Sequence, residues 1–551
     1  MELIKKRIHY VREGKKIFDQ FYVDEEYNVP EAKEDVRRIV DTGTELKIEE
    51  IRPVENYVRI TGKLYFRILY LNVSSDPKPG VLEGKLPFEE MVYAENQEGE
   101  EFYIQNVRIE FTPSLIHSRK LSLRAMVELE VGREKLVDEE TVTDAEGDVP
   151  LYKKMKKVQL LQLEVTKKDT YRIKEEITIP GTKESIGQIL FTDISERKLE
   201  LRPGQDELIV RGELFLFCMY LSGDEKPDWI SQTIPYEGRI PCEGISEEMY
   251  FSIRHTMEDT LTDLRMDEDG EMRILGIEGT LALHMNFYRE ESVELLEDLY
   301  SLQKQCLFDT TEVVCEELLM QNQSKCKVTE RLSLPELKTD VLQILHARGA
   351  IQVEHADRTG EGIRVEGILH LSFLYLRGDD AEPYGSWQGM IPFEHQIECK
   401  EMPEETVYNM EQHIEQLQIT LVGSESVEIK GILTFDTFLR RPVKVWTMEN
   451  VREEPLDLEQ LEKRPSIVGH IVQSGEDLWQ LAKQYMTTKE GIMEVNGMQN
   501  ENVKEGDKLL IFKENMSILP SLTVGKIKMA TNPVNMGSVA VFYFVTICAI
   551  L

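Results

Sequence analysis

Few of the residues able to do chemistry stand where chemistry could use them. The seven cysteines, at 218, 242, 306, 315, 326, 399 and 548, include no Cys-x-x-Cys pair. Cys306, Cys315 and Cys326 come nearest to a cluster. Their gaps lack the short paired spacing of a zinc site, so ordinary thiols are expected. The ten histidines form no ligand-like pair. No nucleophile elbow, phosphate loop, zinc-protease helix or glycine-rich dinucleotide turn occurs. Carboxylates are so abundant that any two could be named an acid/base pair, which removes their value as a signal. The expectation is a non-enzymatic protein with no metal and no cofactor.

Charge narrows the partners. The 551 residues carry a net charge of −36, with acidic side chains spread through the first 514 positions. Such a surface repels phosphate backbones and anionic headgroups, so nucleic acid is not an expected partner. The start, Met1 to Arg7, is basic but has no apolar stretch behind it, so no secretory signal is read. Scattered thiols agree with a reducing cytoplasm.

The strongest pattern is a threefold internal repeat. Val58–Leu71 matches Leu208–Leu221 and Ile363–Leu376, superposing Gly62, Gly212 and Gly367 and then Tyr70, Tyr220 and Tyr375. Pro30-x-x-Lys33, Pro180-x-x-Lys183 and Pro335-x-x-Lys338 each place the proline 32 residues before that glycine. Pro87-Phe88, Pro235-Tyr236 and Pro392-Phe393 follow it by 25, 23 and 25 residues. What recurs is Gly, Pro, Leu, Tyr and Lys, the residue types of turns, cores and anchoring contacts. Lys33, Lys183 and Lys338 are either surface lysines beside a strand pair or contacts for stacking and partner binding. The three tyrosines are expected in the core.

Alternation in Val58, Ile60, Gly62, Leu64, Phe66, Ile68 and Tyr70 predicts a long strand with one buried face. Its central glycine marks a bulge, a bend or a close backbone approach. Further strands are expected at Thr44–Ile51, Glu101–Ile109 and Leu121–Val131, and one or two helical turns at Lys33–Val40. The fold class is therefore mainly β: three tandem sandwich-like repeats at 20–150, 165–302 and 325–446, each with little helix. Thr141–Asp148, Leu296–Lys327 (with a helical-looking Glu312–Gln321) and Glu449–Pro465 are expected to be exposed linkers, the acidic one spanning 447–466.

A different unit follows at 467–513. A short strand ends at Val472 and turns at Gly475; Asp477 can cap a helix whose apolar face is Leu478, Leu481, Ala482 and Tyr485. Thr487-Thr488 opens a second helix ending at Asn496-Gly497, and Gly506-Asp507-Lys508-Leu509-Leu510-Ile511 supplies a return strand. This βααβ unit resembles a LysM domain over its whole length. The resemblance implies a groove for N-acetylglucosamine-containing polymers such as peptidoglycan. Gly475, Glu476, Asp477 and Leu478 would form one side, and Met498, Gln499 and Asn500 the other. Trp479 and Asn496 are read as structural at least as readily as ligand-facing. Glu476-Asp477 replaces the usual Asp-Ser/Thr, adding negative charge to the groove.

Tandem repeats bearing Pro-x-x-Lys and Gly-x-Leu…Tyr-Leu, followed by one LysM unit, resemble the SPOCS-repeat spore-coat proteins, SipL-like in layout. The resemblance spans about residues 20 to 512. It implies a cytoplasmic protein of the mother cell at the forespore surface. There the LysM unit would dock onto the spore coat morphogenetic ATPase of the basement layer. The alternative is a LysM protein that binds peptidoglycan or another N-acetylglucosamine polymer. A wall hydrolase is disfavoured, because no domain supplies a recognisable acid/base site.

Residues 515–551 contain no acidic side chain and end in the apolar run Val539–Leu551. Three readings stay open: a membrane tail anchor within 536–551, an extension past a natural end near Lys513, and a buried apolar segment. A spanning helix needs roughly twenty apolar residues, so this run is marginal. Membrane contact is expected only under the first reading.

Overall fold

The structure is a computed structural model, and it describes residues 1–513 apart from 96–97, 335–336, 338–340, 424, 458 and 460–464. Pro335, Lys338 and the tail from Asn515 lie outside the described residues.

The first repeat contains β1 (Glu2–Glu13), β2 (Ile17–Asn28), β3 (Val36–Val54), β4 (Tyr57–Asn72), β5 (Pro79–Tyr93), β6 (Glu101–Phe111), β7 (Ser114–His117) and β8 (Lys120–Glu146). The second contains β9 (Tyr152–Thr178), β10 (Ile186–Pro203), β11 (Glu207–Ser222), β12 (Pro227–Pro241), β13 (Tyr250–Met266) and β14 (Met272–Tyr300). The third contains β15 (Lys304–Ser333), β16 (Val341–Thr359), β17 (Gly362–Arg377), β18 (Tyr384–Glu398), β19 (Val407–Leu421) and β20 (Ser426–Pro455). Each repeat is a sandwich of two antiparallel sheets. One is β3-β4-β5, β10-β11-β12 or β16-β17-β18; the other is centred on β8, β14 or β20.

The alternating segment forms the middle strand of the first sheet in every repeat. Leu64, Ile68 and Tyr70 of β4 lie with Leu121, Leu123 and Ala125 of β8 in one core. Tyr70 and Tyr220 are buried and Tyr375 is half-buried, as expected of core residues. The central glycines sit opposite register shifts between Ile48 and Glu50, Arg197 and Glu200, and Val353 and His355. A Cβ on Gly62 would strike the Lys47 carbonyl oxygen and the Phe88 ring, and one on Gly367 the Gln352 carbonyl oxygen and the Phe393 ring. Bulge and close backbone approach coincide at Gly62 and Gly367, while at Gly212 the bulge stands against the Tyr236 ring alone.

Two local expectations are corrected. Pro30–Lys33 forms a turn closed by Lys33 N–H donating to Pro30 O (2.9 Å), and the chain enters a strand at Val36 rather than a helix over Lys33–Val40. The same turn recurs at Pro180–Lys183 (2.9 Å). The expected linkers are mostly strand. Thr141–Glu146 closes β8, Leu296–Tyr300 closes β14, Lys304–Lys327 lies in β15 with Glu312–Gln321 extended, and Glu449–Pro455 closes β20.

These strand extensions pair into three ribbons: β1 with the end of β8, the start of β9 with the end of β14, and the start of β15 with the end of β20. Each ribbon turns a narrow apolar face to the other two. Ile8 and Tyr10, Val158, Leu160, Val293 and Leu295, and Val313, Cys315 and Val445 share one core. Charged residues on the opposite faces explain the linker-like composition. The three first sheets also meet, through Val40, Leu69 and Leu71, Leu190 and Met219, and Leu345 and Leu374. Polar contacts lock that junction: Arg348 pairs with Asp41 (2.7 Å), and His346 Nε2 lies in hydrogen-bond contact with Asp193 Oδ2 (2.8 Å). Cys306, Cys315 and Cys326 fall in three separate apolar clusters, so the thiols do not assemble.

Candidate docking site

The C-terminal unit pairs β21 (Ile467–Ile471) with β22 (Lys508–Phe512) around α1 (Leu478–Tyr485) and α2 (Lys489–Asn496). Asp477 caps α1, accepting from Gln480 N–H at 2.7 Å in a capping box, and Thr488 caps α2 by accepting from Gly491 N–H at 3.0 Å. Gly497, at φ 62°, ends α2 in the left-handed conformation that costs glycine least. Asn496 donates to the Ile492 and Leu510 carbonyls and accepts from Leu510 N–H, all at 2.8 Å. It is a structural clamp between α2 and β22.

The helices bury Leu478, Leu481, Ala482 and Ile492 against Leu509 and Ile511, and this core continues into the repeat body through Tyr300. The α1 face is seated on the β9/β14 ribbon. Trp479 Nε1 donates to Asp298 Oδ2 (2.7 Å), Lys483 Nζ donates to Asp298 Oδ1 (2.6 Å), and Lys154 Nζ donates to Asp477 Oδ2 (3.1 Å). Tyr300 OH donates to Thr487 O (2.8 Å), while its ring meets Trp479 edge-on at 4.9 Å and stacks on Tyr152 at 5.0 Å. Half-buried charge-assisted bonds of this kind are stronger than surface ion pairs.

The sequence-derived groove residues divide. Gly475 is exposed at φ 84°, and Gln499 and Asn500 are exposed. Glu476 is engaged by His470 Nε2 (2.7 Å) and by Gln473 N–H (2.8 Å). Burial works to raise its pKa, but these two bonds outweigh it and hold the carboxyl below its ordinary value. Asp477 faces Lys154. Leu478 is 1% exposed in the unit's core, and Met498 packs half-buried against that same core. Leu478 is therefore corrected from a ligand contact to a packing residue. Leu478 and Met498 belong to one core, leaving Gly475, Gln499 and Asn500 exposed.

Models of known families match this chain in both parts. The "SipL, SPOCS domain" matches residues 35–112, 185–265 and 340–422, and the "LysM domain" matches 470–512. The chain is a SPOCS-repeat protein with a C-terminal LysM domain. A search of curated proteins and a search of solved structures return no match. The first SPOCS match covers β3 to β6, the second β10 to β13, and the third β16 to β19, so the ribbon strands β1, β9 and β15 lie outside the matches. These domains make it a sporulation-related protein with a module of the peptidoglycan-binding type.

Sequence reasoning missed Asp298, Tyr300 and Lys154, which hold the LysM domain. A signal existed on one side only: Trp479 and Lys483, four residues apart, share a helix face. It also missed the outer face of the LysM sheet. There Ile467 (53% exposed) pairs with Phe512 (38%), and Leu510 (36%) lies two residues along the same face. Among the described residues no helix is long and apolar enough to cross a membrane.

Proposed function

We propose that this SPOCS-repeat protein is a non-catalytic assembly factor of the spore envelope. Its LysM domain docks onto the coat morphogenetic ATPase at the forespore surface, on the mother-cell side, and the fused repeats present that domain. The supporting observation is the apolar outer face of Ile467, Leu510 and Phe512. It turns away from the core that seats the domain and suits a protein partner better than a sugar. The seat at Asp298 holds this face in one orientation relative to the repeats.

A second reading is supported by the exposed Gly475, Gln499 and Asn500, which leave the expected saccharide side of the domain open. Cosedimentation of the full chain with purified ATPase polymer and, separately, with peptidoglycan sacculi tests both readings. The docking reading expects pelleting with the polymer that Phe512→Asp abolishes and Gln499→Ala leaves intact. Pelleting with sacculi alone, lost in Gln499→Ala, would replace it.

A further inference from the structure

The two edges of the LysM sheet differ. On β22, Leu510 turns its N–H and C=O away from β21, and the Asn496 side chain bonds both at 2.8 Å. That edge is closed by α2.

β21 is the other edge. Directly opposed residues of an antiparallel pair aim their backbone groups alike, either toward each other or away. Gly469 stands opposite Leu510, so its N–H and C=O also point away from the sheet. Flanking bonds fix the same phase. Lys513 N–H donates to Ser466 O (3.1 Å) and Val472 N–H to Asp507 O (2.9 Å), so the even-numbered residues face β22. Ile467, Gly469 and Ile471 face out. Gln473 Nε2 donates to the Ile471 carbonyl (3.1 Å), but the backbone groups of Ile467 and Gly469 carry no hydrogen bond among the described residues.

An unpaired strand edge is a template for a further strand, and Ile467–Ile471 contains none of the lysines or prolines that guard such edges. Five residues offer few backbone bonds, so side chains must supply much of the affinity. The edge borders the exposed Ile467, Leu510 and Phe512. A strand added to β21 extends that face, with every second side chain lying beside Ile467.

We propose, resting on the docking reading above, that the partner adds a strand to β21: an extended segment, apolar at alternate positions, bonded by the N–H and C=O of Gly469. A second copy of this chain is disfavoured as the occupant, because each copy carries a net charge of −36.

Gly469→Pro tests it, since proline removes an outward N–H and is tolerated on an edge strand. Cosedimentation of the full chain with purified coat ATPase polymer should weaken about tenfold in Gly469→Pro. It should stay at the parent level in Gly469→Ala, whose methyl meets nothing within 4 Å. Melting temperatures check that both variants fold. In the parent chain the Gly469 amide should exchange fast when free and about tenfold or more slowly in the pellet. Parent-level pelleting of Gly469→Pro with no slowing of that amide, while Phe512→Asp still abolishes pelleting, overturns the added strand and leaves the docking reading standing. No pelleting of the parent chain overturns both. A Gly469 amide already slow in the free chain, or self-association that Gly469→Pro abolishes, assigns the edge to this chain itself and overturns the proposal too.

Discussion

The indole N–H of Trp479 donates to the Asp298 carboxylate at 2.7 Å, tying the first LysM helix to the ribbon strand β14. The other oxygen of Asp298 takes Lys483 at 2.6 Å, so one carboxylate holds two side chains of a single helix face. The LysM domain is a fixed terminal piece of the repeat body, and the exposed face of its sheet inherits that fixed orientation.

Asp298→Ala should loosen the seat. It leaves a buried indole N–H and a half-buried ammonium without their acceptor, a loss of about 2 kcal/mol. Faster amide exchange in α1, with exchange in the SPOCS cores unchanged, is the expected result. Asp298→Asn keeps one acceptor and should fall between the two.

Gly62→Ala should destabilise the first repeat by more than about 2 kcal/mol, because overpacking here pits the new methyl against backbone as well as a ring. Gly367→Ala should do the same in the third repeat. Gly475→Ala meets nothing within 4 Å and should cost only about 1 kcal/mol through its positive φ. Thermal melts of the three variants check this ranking.

Arg440, 1% exposed, bonds Glu316 (3.0 Å) and Glu13 (3.2 Å) where ribbons of the first and third repeats meet. Arg440→Ala strands those carboxylates and should cost about 3–5 kcal/mol. Adding Glu316→Leu should recover part of the loss, since the stranded charge rather than the missing pair dominates. Denaturant melts of the single and double variants measure that recovery.

Acid should weaken the fold partly through His284. Burial, then the Arg254 guanidinium donating to Nδ1, lowers its pKa to about 4. Between its ordinary value of 6.5 and about 4, the unfolded chain takes up a proton that the folded chain refuses. Stability is therefore lost as pH falls through that window. His284→Gln should flatten the pH dependence of the melting temperature there, relative to the parent chain.

The sandwiches were legible because Val58–Leu71 and its two copies alternate cleanly, and Gly62 announced its bulge. The ribbons were not. In a ribbon only a narrow face is buried, so residues such as Val158 and Leu160 stand among Lys153, Lys154, Lys156 and Lys157, and the composition resembles a solvated spacer. The Pro-x-x-Lys turns suggested a helix start because proline suits that position, yet Pro30–Lys33 only turns the chain into β3 at Val36. In the LysM domain the local motif placed both helices and their caps. It could not show that Asp298, some 180 residues upstream, would claim Trp479. Such long-range pairings leave no local pattern. Leu478 belongs to the helix's apolar stripe, and that periodicity outranked its place in the groove motif.

The outer face of the LysM sheet is the proposed docking surface. A photo-crosslinking residue placed at Phe512, and separately at Gln499, in the full chain within sporulating cells tests it most directly. The account predicts a crosslink to the coat ATPase from position 512, and none from 499. Crosslinks from 499 to glycan with none from 512 to protein would contradict it.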